Sequence, residues 1–373
     1  MRILIFGLLI RVIIAFINSY FGPTLGAEGD ALGFHDLATS IATDKFTGAF
    51  DETKSAVGWE YASFLAMFYG FAEPSLFLGC LLSCIAWLIS GILVDKTLSV
   101  LSVDSISRKR ALIIYAFLPS GLLFTSVTLR EVYQLLFINL AIFSIIKIAL
   151  NKNFLYWIAL VLACFVMSSL HLGLSAYALI LIGAAFFLIS LRSARGFPFM
   201  KFLIFTPIIF IGIYFGLSAY MDSVDYDFSE GIARAVAEYR SGHNETRAMY
   251  AEPPELNSFL DLLLFIPIAI FQYFLEPFPW HISTLFDIAL FFENLFRLIL
   301  IIVIIKNIFM LTGQIRIIGV FLFILFLILE TMWALGTVNW GSAARHHIPG
   351  LGLLVISTFY ILAYKNRTAN LPS

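Results

Sequence analysis

Charge is what this chain has least of. Of its 373 residues only 13% are charged, against about 25% in a soluble domain, and the formal net charge is -1. A chain so short of charge cannot cover a soluble surface, and a balance near zero provides no field to attract nucleic acid or acidic partners. Cysteine is scarce too. Cys80, Cys84 and Cys164 lie in apolar stretches with no ligand partners at metal spacing, which excludes a disulfide frame and a zinc site and leaves packed core thiols. No P-loop, nucleophile elbow, dinucleotide fingerprint or HExxH motif is present, so no nucleotide is expected as cofactor or partner. Energy must come from the substrate or a gradient. No internal repeat or low-complexity segment interrupts the chain.

What is abundant is oil. The chain is 61% hydrophobic, with a mean hydropathy of +0.94. Apolar runs of the roughly 20 residues needed to cross a bilayer recur along it. The expected fold class is an all-α polytopic membrane protein, with spans at 3–21, 75–94, 110–127, 132–149, 154–170, 174–191, 201–219, 282–305, 317–336 and 347–364. The whole of 1–373 reads as a single integral-membrane domain with outer loops 22–57 and 220–257. "MRILIFGLLIRVIIAFINSYFG" has no small-x-small cleavage site after its apolar stretch and is interrupted by Arg11, so it reads as an uncleaved first span.

Lysine and arginine set the orientation, because cytoplasmic loops retain them. The basic connectors are "SRKRA" (107–111), "NKN" (151–153), "RSARGFPFMK" (192–201), "KNIFMLTGQIR" (306–316) and "KNR" (365–367). Ten crossings with both termini inside put every one of them in the cytoplasm of a cytoplasmic (inner) membrane protein. "GWEYASFLAMFYGFAEP" (58–74) and the Pro267-containing "SFLDLLLFIPIAIFQYFLEPFPW" (258–280) would spoil that agreement if they crossed. Both are expected as re-entrant or interfacial helices on the outer side, where non-helical backbone needs a protein or water-filled lining.

The unusual polar residues then fall on the outer face. "AEGDALGFHD" supplies Glu28, Asp30, His35 and Asp36 at the start of an amphipathic helix whose apolar positions are Leu32, Phe34, Leu37 and Ile41. Asp30 has two available roles, a helix cap and a general base for an acceptor hydroxyl. Arg130–Glu131 joins two spans almost without a loop and suits either interfacial snorkelling or phosphate binding, with Glu131 orienting the arginine or ligating a metal. Arg345, His346 and His347 place positive charge on the outer end of a span. These residues suit either an interfacial belt touching lipid headgroups or a site in which Arg345 fits a phosphate bidentately and the histidines donate protons to a leaving phosphate. His171 in "SSLHLG", Trp280 in "EPFPWH", and Arg234, Arg240, Arg247 and His243 in the long outer loop complete the outward-facing set. That loop reads as a solvated lid or as a flap that closes over a ligand. "NET" (244–246) fits a glycosylation acceptor.

Charges inside spans cost about 2.5–3.5 kcal/mol each near the bilayer centre, so they should face protein or water. Glu293 and Arg297, four apart on one helix, are expected to pair. Arg11 and Glu330 are expected to reach an internal cavity.

Four stretches, "GDALGFHDLA", "FLPSGLLFTSVTLRE", "FLEPFPW" and "NWGSAARHHIPGL", taken in order over most of the chain, resemble integral-membrane glycosyltransferases of the GT-C superfamily. More narrowly they resemble bacterial O-antigen or capsular polysaccharide polymerases. The resemblance implies a GT-C-like fold and an essential acid in the first outer loop, matched by Asp30 with Glu28 second. It also implies a further outer acid at Glu131 and a basic motif before the last span at Arg345, with His346 beside it. It implies a sugar donor carried on a polyprenyl phosphate or pyrophosphate, a glycan or lipid-linked acceptor, surrounding membrane lipids, and transfer on the outer face without ATP. Arg345 and Arg130 would hold the lipid phosphate while Asp30 activates the acceptor hydroxyl; Arg240, His35, His171, His347 and Trp280 are further candidates for contact with substrate. The chain departs from the pattern in having "AEGDA" in place of a tighter acid-x-acid pair, and no soluble C-terminal domain. That leaves open whether a divalent metal, Mg or Mn, takes part. A transporter or flippase for a lipid-linked or anionic glycan is the alternative, and it calls for midplane charges and repeats with interrupted helices in matched positions.

Overall fold

The computed structural model describes residues 1–25, 28–47, 58–151, 153–192, 232–241, 247–250 and 255–369. Among them every regular element is helical. The elements are α1 (Arg2–Tyr20), α2 (Asp30–Thr47), α3 (Trp59–Tyr69), α4 (Leu76–Val100), α5 (Ser105–Phe117), α6 (Pro119–Phe124), α7 (Glu131–Asn151) and α8 (Phe154–Leu170). They continue with α9 (Leu174–Arg192), α10 (Ile232–Ser241), α11 (Phe259–Leu275), α12 (Leu285–Ile308), α13 (Gly313–Gly336), α14 (Trp340–His346) and α15 (Leu351–Ala369). The expected span 201–219, His243 and the "NET" triplet lie outside the described residues.

Five of these helices, α1, α4, α7, α12 and α13, are long and apolar enough to cross a membrane, and α14 with α15 forms a sixth candidate bent by 63°. Ten crossings are therefore not reached among the described residues, for local reasons. The run 110–127 breaks at Leu118, extended at φ -61° and ψ 127°, because Pro119 has no N–H to continue the ladder and instead opens α6. α8 has 17 residues, so it rises about 26 Å, short of a hydrocarbon core of about 30 Å. The stretches 58–74 and 258–280 form α3, of 11 residues, and α11, of 17 residues with Pro267 inside it.

Polar caps set the starts of several helices. The Ser75 hydroxyl accepts from Leu78 N at 3.4 Å, Asp104 accepts from the amides of Ile106 and Ser107, and Thr284 with Asp287 forms a reciprocal capping box at α12. α15 is the central helix. It packs on α4, α5, α7, α12 and α13, and Leu353, Val355, Ile356 and Ile361 are fully enclosed. α1, α8 and α11 carry the outward apolar faces, with Phe6, Ile13, Phe154, Phe165, Leu260 and Leu264 exposed. An exposed apolar belt of that extent is what a lipid solvent covers.

The two ends of the bundle differ in chemistry. At one end the basic connectors gather: Arg108 pairs with Asp95 at 2.8 Å, Arg367 donates to the Ser102 carbonyl at 2.6 Å, and a cavity of about 170 Å³ lies among Leu101, Leu150, Gln314 and Tyr364. The helix breaks at 125–130, 171–173 and 337–339 and the start of α2 are joined by contacts of their own. Cys80, Cys84 and Cys164 are buried free thiols, as their apolar surroundings imply.

The charges within spans meet protein. Glu293 and Arg297 pair on one face of α12, and both reach the broken α5–α6 junction. Ser120 donates its amide to Glu293 at 2.7 Å, and Arg297 donates to the Ser120 hydroxyl at 2.8 Å. Arg11 differs from its expectation. Its guanidinium lies 3.5 Å from the centre of the Trp87 ring and donates to the Thr125 hydroxyl and to the carbonyls of Gly7, Ala116 and Gly121, so it closes a helix break and does not line a cavity. Glu330 likewise meets protein, in the form of His347 at 2.5 Å. Gly350 makes that pair possible, since a Cβ there would stand 1.9 Å from Glu330 Oε1.

Candidate functional site

The site assembles where the broken ends meet. The backbone at 125–130 cannot continue α6, so it turns. Its side chains replace the missing ladder: Ser126 donates to the Leu122 carbonyl, and Thr128 crosses to the Ala31 carbonyl. The Thr128 bond fixes the first turn of α2 against the start of α7. α2 then buries Ala31, Phe34, Ala38 and Ile41, an i, i+3, i+4 pattern that leaves Asp30 on the exposed side. On the other side Asn339 caps α14, accepting from Ser342 N at 2.7 Å. α14 ends at His346, where Pro349 forbids continuation.

Across this junction Arg345 donates to Asp30 Oδ2 at 2.6 Å. The aspartate side chain is 55% exposed and the arginine 16%, so the acid faces out and the cation is largely sunk. Glu131, 3% exposed at the start of α7, is a second carboxylate whose charge acts on the same guanidinium. Its Oε2 has no hydrogen-bond partner among the described residues. Arg130, the residue before it, packs on α2 and the end of α8. It lies 5.7 Å from the Phe34 ring centre and reaches the Leu170 carbonyl at 3.5 Å. Glu28 is exposed in the turn before α2.

An aromatic wall backs the cluster. His346 stacks on Trp333 with centroids 4.4 Å apart, and His171 meets the same indole edge-on at 4.9 Å. His346 Nδ1 also bonds the Thr337 hydroxyl at 2.7 Å. Burial, with the nearby Arg130, pushes His171 down to about 3, so it brings a ring and a hydrogen bond but no positive charge. Arg240 supports the wall from behind. It donates to the carbonyls of Leu335 at 3.2 Å and Thr337 at 2.8 Å, closing the C-terminus of α13, and burial lowers it to about 10.

The structure thus brings together Asp30, Glu131, Arg345, Arg130, His171 and His346, with Arg240 one layer behind. It does not bring in the other four candidates, of which Glu28 stays exposed in the turn before α2. His347 turns inward to Glu330 and to the Tyr273 carbonyl at 3.2 Å. His35 meets the Tyr69 hydroxyl at 2.9 Å. Trp280 stacks on Phe278 at 5.0 Å. Sequence reading missed Trp333, Thr337 and Thr128, which carry no charge to flag them in an apolar run.

Among the described residues no group of three acidic, histidine or cysteine side chains converges to hold a metal ion, and Asp30 is engaged by the Arg345 guanidinium.

Compared with protein-family models, curated proteins and solved structures, the chain gives no match.

Proposed function

We propose that this chain is a membrane glycosyltransferase or polysaccharide polymerase that moves a sugar from a polyprenyl phosphate or pyrophosphate donor to an acceptor on the outer face of the cytoplasmic membrane. One observation carries the reading: a half-exposed carboxylate, Asp30, against a sunken arginine, Arg345, at a junction of helix breaks in an otherwise apolar bundle. A donor with a hydrocarbon tail and an anionic head needs that pairing of apolar belt and cation.

The transfer balances without a cofactor. The acceptor hydroxyl gives its proton to Asp30 as its oxygen attacks the anomeric carbon. The bond from that carbon to the phosphate oxygen breaks, and the lipid phosphate leaves with the electron pair, its charge met by Arg345 and Arg130. A GT-C-like arrangement of about ten spans, inner termini and an outward site belong to the same reading, supported by the gathering of basic connectors at the end formed by Asp95, Arg108 and Arg367.

The bent α14–α15 pair, with buried Glu330 and His347 near its break, favours a second reading, a transporter for the same lipid-linked glycan. Mass spectrometry of polyprenyl-linked glycans separates the two, in cells lacking the gene and rescued by wild type or Asp30→Asn. The transferase reading expects a complete lipid-linked sugar to accumulate on the outer leaflet in both the deletion and the variant. A lipid trapped on the inner leaflet would put transport first.

A further inference from the structure

A second group of polar and aromatic side chains lies outside the Asp30 cluster and has no part in the transfer step. Phe278 and Trp280 stack with centroids 5.0 Å apart, Trp280 meets His281 at 6.0 Å, and His281 lies parallel to Trp340 at 5.7 Å and 6°. The Arg247 guanidinium continues the ladder 6.0 Å from the Trp340 ring centre. Trp280 is 75% exposed, whereas Trp340 is buried beneath the surface members.

The exposed donors are held from below. Glu276, itself buried, takes His281 Nδ1 at 2.8 Å, so Nε2 is the nitrogen left to meet a ligand. Asp287, fully buried, takes Arg247 through two bonds of 2.7 and 3.2 Å and also accepts Trp340 Nε1 at 3.0 Å. Such backing fixes a side chain's direction at its surface. It also counters charge at Arg247, which stands over the buried Asp287 carboxylate. A flat apolar ring beside rigidly held hydrogen-bond donors fits a pyranose, whose C–H face stacks and whose hydroxyls accept.

We propose that Trp280, His281 and Arg247 form a glycan-binding platform, and, on the transferase reading above, that it holds the acceptor chain. Its position favours that role. Trp340 opens α14 and Arg345 lies five residues along the same helix, about 7.5 Å of axis away. One short rigid element therefore sets the spacing between the platform and the arginine assigned to the donor phosphate.

The test is binding by the full chain in phosphatidylethanolamine–phosphatidylglycerol nanodiscs, with two probes on the same samples: an array of bacterial oligosaccharides and polysaccharides, and undecaprenyl phosphate. The expected result is capture of at least one glycan by wild type, weakened about tenfold or more in Trp280→Ala and largely kept in Trp280→Phe, since about 1.4 kcal/mol of ring contact is tenfold in affinity. Prenyl phosphate binding should be equal in all three. Trp280 is a surface residue, and that equality also verifies that the variants are folded. No captured glycan, or equal capture by Trp280→Ala, overturns the platform. If undecaprenyl phosphate alone is bound, the platform falls and the donor reading stands. If a glycan is bound through Trp280 and undecaprenyl phosphate is not, the platform stands and the donor reading falls.

Discussion

Asp30 and Arg345 stand 315 positions apart in the chain and share an ion pair of 2.6 Å. On the transferase reading the same guanidinium holds the donor phosphate, so a bound phosphate and Asp30 would compete for it. Asp30→Asn should therefore abolish transfer yet bind undecaprenyl phosphate several-fold tighter than wild type. The pair is exposed on its acidic side, so stability should change by no more than about 1 kcal/mol. Binding in nanodiscs beside an activity assay checks this. Weaker phosphate binding in the variant would mean that Asp30 positions Arg345 and does not compete with its ligand.

Glu293 and Arg297 are both buried beside Ser120. Removing one partner leaves a charge stranded in a dry bundle. Glu293→Leu should cost about 3–5 kcal/mol, while the double variant Glu293→Leu, Arg297→Met should recover much of it. Thermal unfolding in detergent measures both, and an equal loss in the single and double variants would place the stability in the Ser120 contacts instead.

These pairs also show what the sequence could and could not reveal. Charges are rare in this chain, so Asp30, Glu131, Arg345, Glu293 and Arg297 stood out, and helical spacing alone joined the last two. The partner of Asp30 is another matter, because a contact across 315 positions leaves no local trace. His346 and His347 are adjacent and read alike. Yet about 100° separates successive side chains on a helix, which sends one to Trp333 and the other to Glu330. Among the described residues the span count was not reached where local chemistry outvoted hydropathy. Pro119 was visible, but an apolar run on either side of it looks continuous to a window that averages. Trp333 and Trp340 were invisible as site residues because a buried tryptophan and a lipid-facing one have the same letter.

His35 provides a pH test. It is half-buried on α2 with Nδ1 against the Tyr69 hydroxyl, and burial lowers it from the usual histidine range, partly offset by Asp36. A base that titrates lower in the folded state binds fewer protons than the unfolded chain as pH falls through the unfolded value of about 6.5. Folding should therefore weaken from about pH 7 downward and level off below the folded pKa. His35→Gln keeps a polar partner for Tyr69 and should flatten that part of the profile. Unfolding midpoints between pH 8 and 5, values bracketing about 6.5, decide it, and an unchanged slope in the variant would assign the dependence to another group.

Arg240 sits behind the cluster and touches it only through backbone. Its donors close the carbonyl end of α13 at Leu335 and Thr337, and Thr337 in turn holds His346 against Trp333. Losing those donors leaves buried carbonyls unpaired, a cost of about 1–3 kcal/mol. Arg240→Met should lower the unfolding midpoint and release the Thr337–His346 contact. Arg240→Lys, which keeps a charge but loses the fork, should recover only part. A positioning role predicts a fall in turnover larger than any change in undecaprenyl phosphate affinity, because Arg345 and Asp30 remain in place. Histidine NMR in labelled protein provides the independent readout, since His346 should shift in Arg240→Met while His35 should not. Movement of neither resonance, with activity lost, would mean that α10 touches the substrate itself.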